Sequence, residues 1–401
     1  MTVCASYRWI EKSLYGALLL MCSAYAKAQP LENAWETFQV HGFLSQALVV
    51  SSANDFFGPS SSSGGSLEFY ELGLNASMRP TDNLLMSAQV LSRRAGGDAS
   101  DASPKLDYGL IDYQIHSDVD ETFGIKVGRV KNPFGFYNQT RDVPFTRPSI
   151  LLPQSIYFDR TRAQSLSGDG VVGYFDHRFD DSSIRFQLGW GVPQVDDDVE
   201  DTVLMDILPG SLEAEPSLIS QLLYEYDGGR FVAALTYADV KADYKSSVDA
   251  IGDGRFSYTP IVLSLQYNSL NWSLTSEYAY RDRKLSHMGN DLFNVNTIGE
   301  SWYVQYVYRF NSDWQGLLRY DVMISDRDDP DGHAFEAAGF GKSYSRYAYD
   351  RTVGVQWSAT SQFLLSAEYH NVEGTGWLLN AERESESKYW GLFLLQASYR
   401  F

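Results

Sequence analysis

Beyond residue 30, apolar and polar residues alternate with a period of two through most of the chain. Trp302, Val304, Tyr306, Tyr308 and Phe310 alternate with Ser301, Tyr303, Gln305, Val307 and Arg309. Ile184, Phe186, Leu188 and Trp190 do the same against Ser183, Arg185, Gln187 and Gly189. Trp272, Leu274, Tyr278 and Tyr280 alternate with Ser273, Thr275, Glu277 and Arg281. Successive side chains of a strand point to opposite faces, so this spacing predicts strands with one apolar face. Sixteen are expected, over 37–51, 66–79, 83–93, 106–116, 122–130, 169–178, 182–191, 217–226, 230–239, 256–268, 271–281, 297–310, 313–324, 347–358, 362–371 and 389–401. Most are about ten residues long, enough to cross an outer membrane when tilted.

The connections sort by length. Short turns at 80–82, 117–121, 179–181, 227–229, 269–270, 311–312 and 359–361 interleave with long loops at 52–65, 94–105, 131–168, 192–216, 240–255, 282–296, 325–346 and 372–388. A transmembrane barrel has this asymmetry, with short periplasmic turns and long outward loops. Aromatics recur near strand ends, at Tyr267, Trp272, Tyr280, Trp302, Phe310, Trp314, Trp357, Phe363, Tyr369 and Tyr389, as they do at membrane interfaces. A soluble propeller would show a repeat of about forty residues, and none is present. The fold class read from the pattern is all-β: a 16-stranded antiparallel transmembrane barrel. Arg351 strains it, because its parity is that of the lipid-facing Val353, Val355 and Trp357; snorkelling to the interface or a local bulge would resolve this.

Composition narrows the picture. The 401 residues are 44% hydrophobic and 21% charged, which argues against disorder. A formal charge of −19 argues against nucleic-acid binding. No run of eighteen apolar residues follows the N-terminal segment, so membrane helices are excluded. That segment carries Arg8 and Lys12, then an apolar stretch to Ala26, then the small-x-small triplet Ala26-Lys27-Ala28. It reads as a secretory signal over 1–28, leaving 29–401 as one barrel domain. Cys4 and Cys22 both fall inside it. The exported chain would then have no disulfide and no thiolate chemistry.

The inward parity is polar and carries both signs, with Glu71, Asp112, Lys126, Arg185, Glu225, Glu277, Arg281, Arg319, Asp321 and Glu368. A polar interior in a barrel of this size implies a water-filled channel. The third long loop, 131–168, is too apolar for a solvated loop and contains Pro133, Pro144, Pro148 and Pro153. It is expected to fold inward and narrow the pore. Its five cations, Lys131, Arg141, Arg147, Arg160 and Arg162, outnumber Asp142 and Asp159. A basic constriction favours anions. Selectivity is therefore assigned to those five with Lys126, Arg185 and Arg319, facing the lumen carboxylates Glu71, Asp112, Glu277 and Asp321. The competing reading is that the arginines pair with such carboxylates and pin the loop.

The run Val127-Gly-Arg-Val-Lys-Asn-Pro-Phe-Gly135, followed by Asp159-Arg160 and Gly168-Asp-Gly-Val171, resembles the phosphate-selective porin O/P superfamily of Gram-negative outer membranes. The close match covers Val127 to Tyr174. The resemblance implies a trimeric, anion-leaning porin for passive diffusion of small hydrophilic solutes. The terminal Phe401 resembles the signal read by the barrel assembly machinery. A lysine cluster suited to phosphate and a long arginine ladder are both missing from the pattern.

Two other functions stay open: a substrate-specific channel for phosphate or carboxylates, and an outer-membrane hydrolase. The hydrolase would need a pair such as Glu368 and His370, which share a parity; two ordinary lumen residues are the simpler reading. No metal-ligand spacing, phosphate-binding loop or nucleophile elbow occurs, so no cofactor is expected. The acidic runs 196–201 and 326–331 read as solvated outer loops. They could bind divalent cations that bridge lipopolysaccharide.

Overall fold

A computed structural model of the chain describes residues 31–95, 102–205, 208–378 and 387–401. The expected signal segment lies outside them. Sixteen strands form one closed antiparallel barrel. They are β1 (Gln39–Ser51), β2 (Ser66–Thr81), β3 (Leu84–Arg94), β4 (Lys105–Ser117), β5 (Glu121–Lys131), β6 (Ser167–Arg178), β7 (Ser182–Pro193) and β8 (Gly210–Tyr226). The second half is β9 (Phe231–Ser246), β10 (Gly254–Asn268), β11 (Trp272–Ser286), β12 (Val295–Arg309), β13 (Trp314–Ile324), β14 (Tyr347–Ser358), β15 (Phe363–Glu373) and β16 (Tyr389–Arg400). Each strand pairs with its sequence neighbours, and β1 closes on β16 with Gln46 opposite Ala397.

The alternation sorts side chains as expected. Along β10, Ile261, Leu263 and Leu265 are 41%, 44% and 40% exposed on the outer face, whereas Val262 and Ser264 are fully buried inside. Aromatics cluster at the short-turn end: Trp314 stacks on Trp357 at 5.3 Å between centroids, Tyr267 meets Trp272 at 5.4 Å, and Phe363 meets Tyr399 at 4.8 Å. Arg351 does face outward. The β13–β14 register runs unbroken past it, so no bulge turns it in. Its guanidinium lies 5.6 Å from the Tyr320 ring centroid, which shields the charge.

The strands β8 to β11 run further outward than the alternation alone indicated, to Ser246 and Ser286. The extension has a core of its own. Ala242, Tyr244, Phe256 and Leu285 on its inner side pack against Val199, Val203 and Leu204. Those three belong to a helix, Asp197–Leu204, in the acidic run expected to be a solvated loop. Asp196 caps it by accepting from the Val199 N–H, and Asp197, Asp198 and Glu200 sit in its first turn, where the helix dipole favours negative charge. The acidic residues thus start a helix, and its apolar side supplies the buried face. In the second acidic run, Asp329 accepts from the Ala334 and Phe335 N–H groups and caps the short helix His333–Ala337.

The outward apolar band makes a testable demand. Leu263→Arg, midway along that band, should destabilise the folded barrel by about 2–4 kcal/mol. Ser264→Arg, on the other face, should not show that lipid-transfer cost, although it disturbs a buried contact. Equilibrium unfolding from liposomes measures the difference between the two curves.

Candidate functional site

The loop between β5 and β6 lies against the inner wall, and its seat is made of wall side chains. Glu277 of β11 accepts from the Phe136 N–H at 3.0 Å, the Tyr157 hydroxyl at 2.7 Å, the Tyr303 hydroxyl at 2.7 Å and Ser264 at 2.5 Å. Glu368 of β15 accepts from the Ile150 N–H at 2.5 Å and the Leu151 N–H at 3.2 Å. Asp321 of β13 accepts from the Ser155 N–H at 3.3 Å. Arg319 donates to the Leu151 carbonyl at 3.0 Å and to Ser149 at 3.1 Å. Irregular backbone has no ladder to satisfy its polar groups, so the wall provides the partners. Phe134, Leu152 and Ile156 add apolar contacts to Val262 and Ala279.

The Pro-Phe-Gly135 turn has a steric reason. Gly135 has φ +57°, and a Cβ there would collide with the Tyr157 hydroxyl and with Glu277. A side chain at this position would push the loop off its seat.

Each cation assigned to this loop has a carboxylate partner. Lys131 bridges Asp107 at 2.9 Å and Asp142 at 2.5 Å, and Arg162 also pairs with Asp142. Arg141 pairs with Asp159 at 3.0 Å, Arg147 with Glu71 at 2.5 Å, and Arg160 with Asp198 at 3.4 Å. Arg93, not singled out in the sequence, joins Glu71 to Asp159. Burial alone would raise the carboxyl of Asp142, but Arg162 and Lys131 hold it well below the usual carboxylate range. Asp159 is lowered too: Arg93 and Arg141 outweigh its burial. Burial lowers Arg141 to about 10, which leaves it charged at neutral pH.

The lumen carboxylates do not form one ring facing these cations. Glu71 does meet a loop arginine. Glu277 and Asp321 instead hold loop N–H and hydroxyl groups, and Asp112 accepts from the Tyr174 hydroxyl at 2.8 Å. Lys126 lies 5.1 Å over the Tyr174 ring, and Arg185 pairs with Asp176 at 2.5 Å towards the short-turn end.

The loop divides the interior unequally. On the β2–β3 side, around Glu71, Arg93 and Arg141, about 10 Å³ remains for the centres of water molecules, barely one water. On the β6–β13 side a chamber offers about 170 Å³ by the same measure. Arg281, Arg283 and Arg346 line it. Arg283 is near enough to Arg281 and Arg346 for mutual repulsion, and Asp326 is near enough to attract both Arg283 and Arg346. Among the described residues, none of the three forms an ion pair. Arg281 donates to Ser301, and its Nε is buried without a partner. Arg346 rests 4.6 Å from the Phe335 ring centroid. The signal for two of them was in the sequence: Arg281 and Arg283 share the inward parity of β11.

Glu368 and His370 do lie together, with Oε2 and Nε2 3.4 Å apart. The histidine Nδ1 is 2.9 Å from Asp350 and 3.2 Å from the Thr352 hydroxyl. The whole group is buried beneath the loop, and Glu368 is already holding loop N–H groups. His370 sits between the two carboxylates Asp350 and Glu368.

Two predictions follow from this seat. Gly135→Ala should cost about 1–3 kcal/mol of loop docking. Larger, noisier single-channel currents in a planar bilayer would reveal it, and unchanged currents would argue against the seat. The lowered carboxyls of Asp142 and Asp159 stabilise the docked loop above the pH where the free groups ionise, about 4. That contribution is lost only as pH falls through their lower docked values. The contribution of these two groups, read as the difference in loop proteolysis between the protein and an Asp142→Asn, Asp159→Asn variant, should therefore stay constant from pH 7 to about 4 and weaken only in stronger acid.

No protein-family model matches the chain, and no curated protein matches it in sequence. Solved structures do share its fold. The outer-membrane channel DcaP of Acinetobacter baumannii aligns with 14% identity and a TM-score of 0.55, over 91% of this chain and 97% of that one. An anion-selective porin from Comamonas acidovorans aligns with 11% identity and a TM-score of 0.57, over 91% and 99%. The trimer form of OmpT, an outer-membrane protein of Vibrio cholerae, aligns with 12% identity and a TM-score of 0.55, over 91% and 99%. At these identities the likeness is one of fold. With the closed sixteen-stranded barrel and its apolar outer band, it makes this chain an integral outer-membrane β-barrel with the porin architecture.

Proposed function

We propose that the protein is a passive channel for small hydrophilic solutes that leans towards anions. The observation that carries this reading is the group of three arginines, Arg281, Arg283 and Arg346, which line the open chamber without an ion pair. The basic loop contributes differently. Its lysine and arginines are neutralised locally, so they hold the loop and add little field to the passage. Lys126 is a secondary contributor, and Arg185, paired with Asp176, adds as little as the loop cations. Phosphate specificity is not part of this reading, since the three arginines share their chamber with apolar groups such as Phe158 and Ile219. Catalysis is not part of it either, because Glu368 holds loop N–H groups and His370 is buried between Glu368 and Asp350. The trimer form recorded for OmpT supports a homotrimer here, with lipid and lipopolysaccharide around it. Phe401 is the residue for the assembly machinery to read.

The test is the reversal potential of refolded protein in a planar bilayer under a KCl gradient. Chloride preference is expected. Arg281→Ala with Arg283→Ala should lower the chloride-to-potassium permeability ratio several-fold. Arg160→Ala should change it far less, because that charge is already answered by Asp198. Potassium preference in the unaltered protein would sink the proposal.

A further inference from the structure

The chamber has two unlike walls. One carries Arg281, Arg283 and Arg346. The other holds an apolar patch, Phe134, Ile156 and Phe158 of the inward loop with Ile219 of β8, among polar groups such as Gln164 and Asp201; Tyr258 of β10 belongs to the arginine side, opposite Arg283 in the β10–β11 ladder. A passage built only to move hydrated inorganic ions gains nothing from such a wall. Chloride and phosphate lose hydration beside it and receive no contact in return. An apolar body gains by leaving water there. The space, about 170 Å³ for water centres, far exceeds the ~10–15 Å³ that holds a single water. It is of the size for a ring.

The backbone around the chamber is shaped to the same end. Pro260 stands opposite Arg281 in the β10–β11 ladder, and β9 and β10 skip their pairing at Thr259 and Pro260. Pro216 lies in a matching break between Glu215 and Leu218 in the β8–β9 ladder. Proline has no N–H to donate, so it is confined to such breaks. The ladder is interrupted twice at the level of the apolar wall.

Resting on the anion-channel reading, we propose that this chamber is a binding site for an amphipathic organic anion. Its ligand is a carboxylate attached to a ring-sized apolar body. The carboxylate meets the guanidinium groups, whose planar donor fork fits two carboxylate oxygens. The body lies against Phe134, Phe158 and Ile219, with Tyr258 beside the guanidinium groups. An anion held from both sides crosses by residence in the chamber rather than by free diffusion through it.

Benzoate, acetate, inorganic phosphate and benzyl alcohol separate the contributions. Binding is measured by calorimetry on the refolded full-length barrel in detergent, and block of the chloride current by the same four in a planar bilayer. Benzoate should bind about tenfold or more tightly than acetate or phosphate, and benzyl alcohol should bind weakly. Arg281→Ala with Arg283→Ala should abolish the benzoate signal. Ile219→Ala should weaken benzoate several-fold more than acetate. Arg283→Lys keeps the charge but loses the fork, and should fall between. The proposal is overturned if benzoate and acetate bind equally, which would leave a general anion field. Equal binding of benzoate and benzyl alcohol would overturn it too, leaving an apolar cavity. Calorimetry needs no conducting pore, so the two readings fail separately. Chloride preference without benzoate binding removes the site alone, and benzoate binding to a cation-preferring barrel removes the channel reading alone. Circular dichroism and heat-modifiable gel migration confirm that each variant has folded.

Discussion

A carboxylate placed inside a barrel wall must be given donors, and Glu277 is given four. Three are hydroxyls and one is a loop N–H. That one group fixes where the turn at Gly135 sits, and the turn fixes how the following thirty or so residues cross the interior. Glu368 and Asp321 repeat the arrangement further round the barrel. The position of the loop therefore rests on hydrogen bonds from wall to loop backbone, with local ion pairs closing the charge balance. Such contacts are indifferent to most loop side chains and unforgiving of the backbone path.

Because the loop is held this way, its charges are free to cancel one another. Lys131 and Arg162 share Asp142, while Arg93 ties Glu71 to Asp159. The dense network surrounds a pocket with room for barely one water. Arginines that form no ion pair among the described residues line the chamber, on β11 and in the loop before β14, with Asp326 near enough to attract Arg283 and Arg346. The loop's charges and the wall's arginines are thus arranged differently: the first are paired within the network, and the second line the chamber.

The barrel was legible because a half-lipid, half-water environment forces a period of two, and Ser301 to Phe310 or Ile184 to Trp190 show it without ambiguity. The inward path of the third loop was legible from Phe134, Ile150, Leu151 and Tyr157, which no solvated loop would carry. Which cation remains unpaired was not legible. Arg147 reaches Glu71, 76 residues away, and only the folded path of the loop decides that. The helix Asp197–Leu204 was hidden by its own charge, although Asp196 as a cap and Val199 with Val203 at helical spacing carried the signal. Arg283 was available from parity and was overshadowed by the richer loop.

The closure of the barrel carries one further consequence. β1 has its final neighbour only in β16, with Gln46 against Ala397. Every other strand meets its partners within a hairpin or a single loop. The seam is thus the one pairing of very high sequence separation, and such contacts form late because so much chain must first be ordered. Until then both β1 and β16 present a bare edge, a template for wrong pairing. The assembly problem of this molecule is concentrated at that seam. Fifteen of the sixteen pairings can zip from neighbour to neighbour, but the ring remains an open and adhesive sheet until its two ends are brought together.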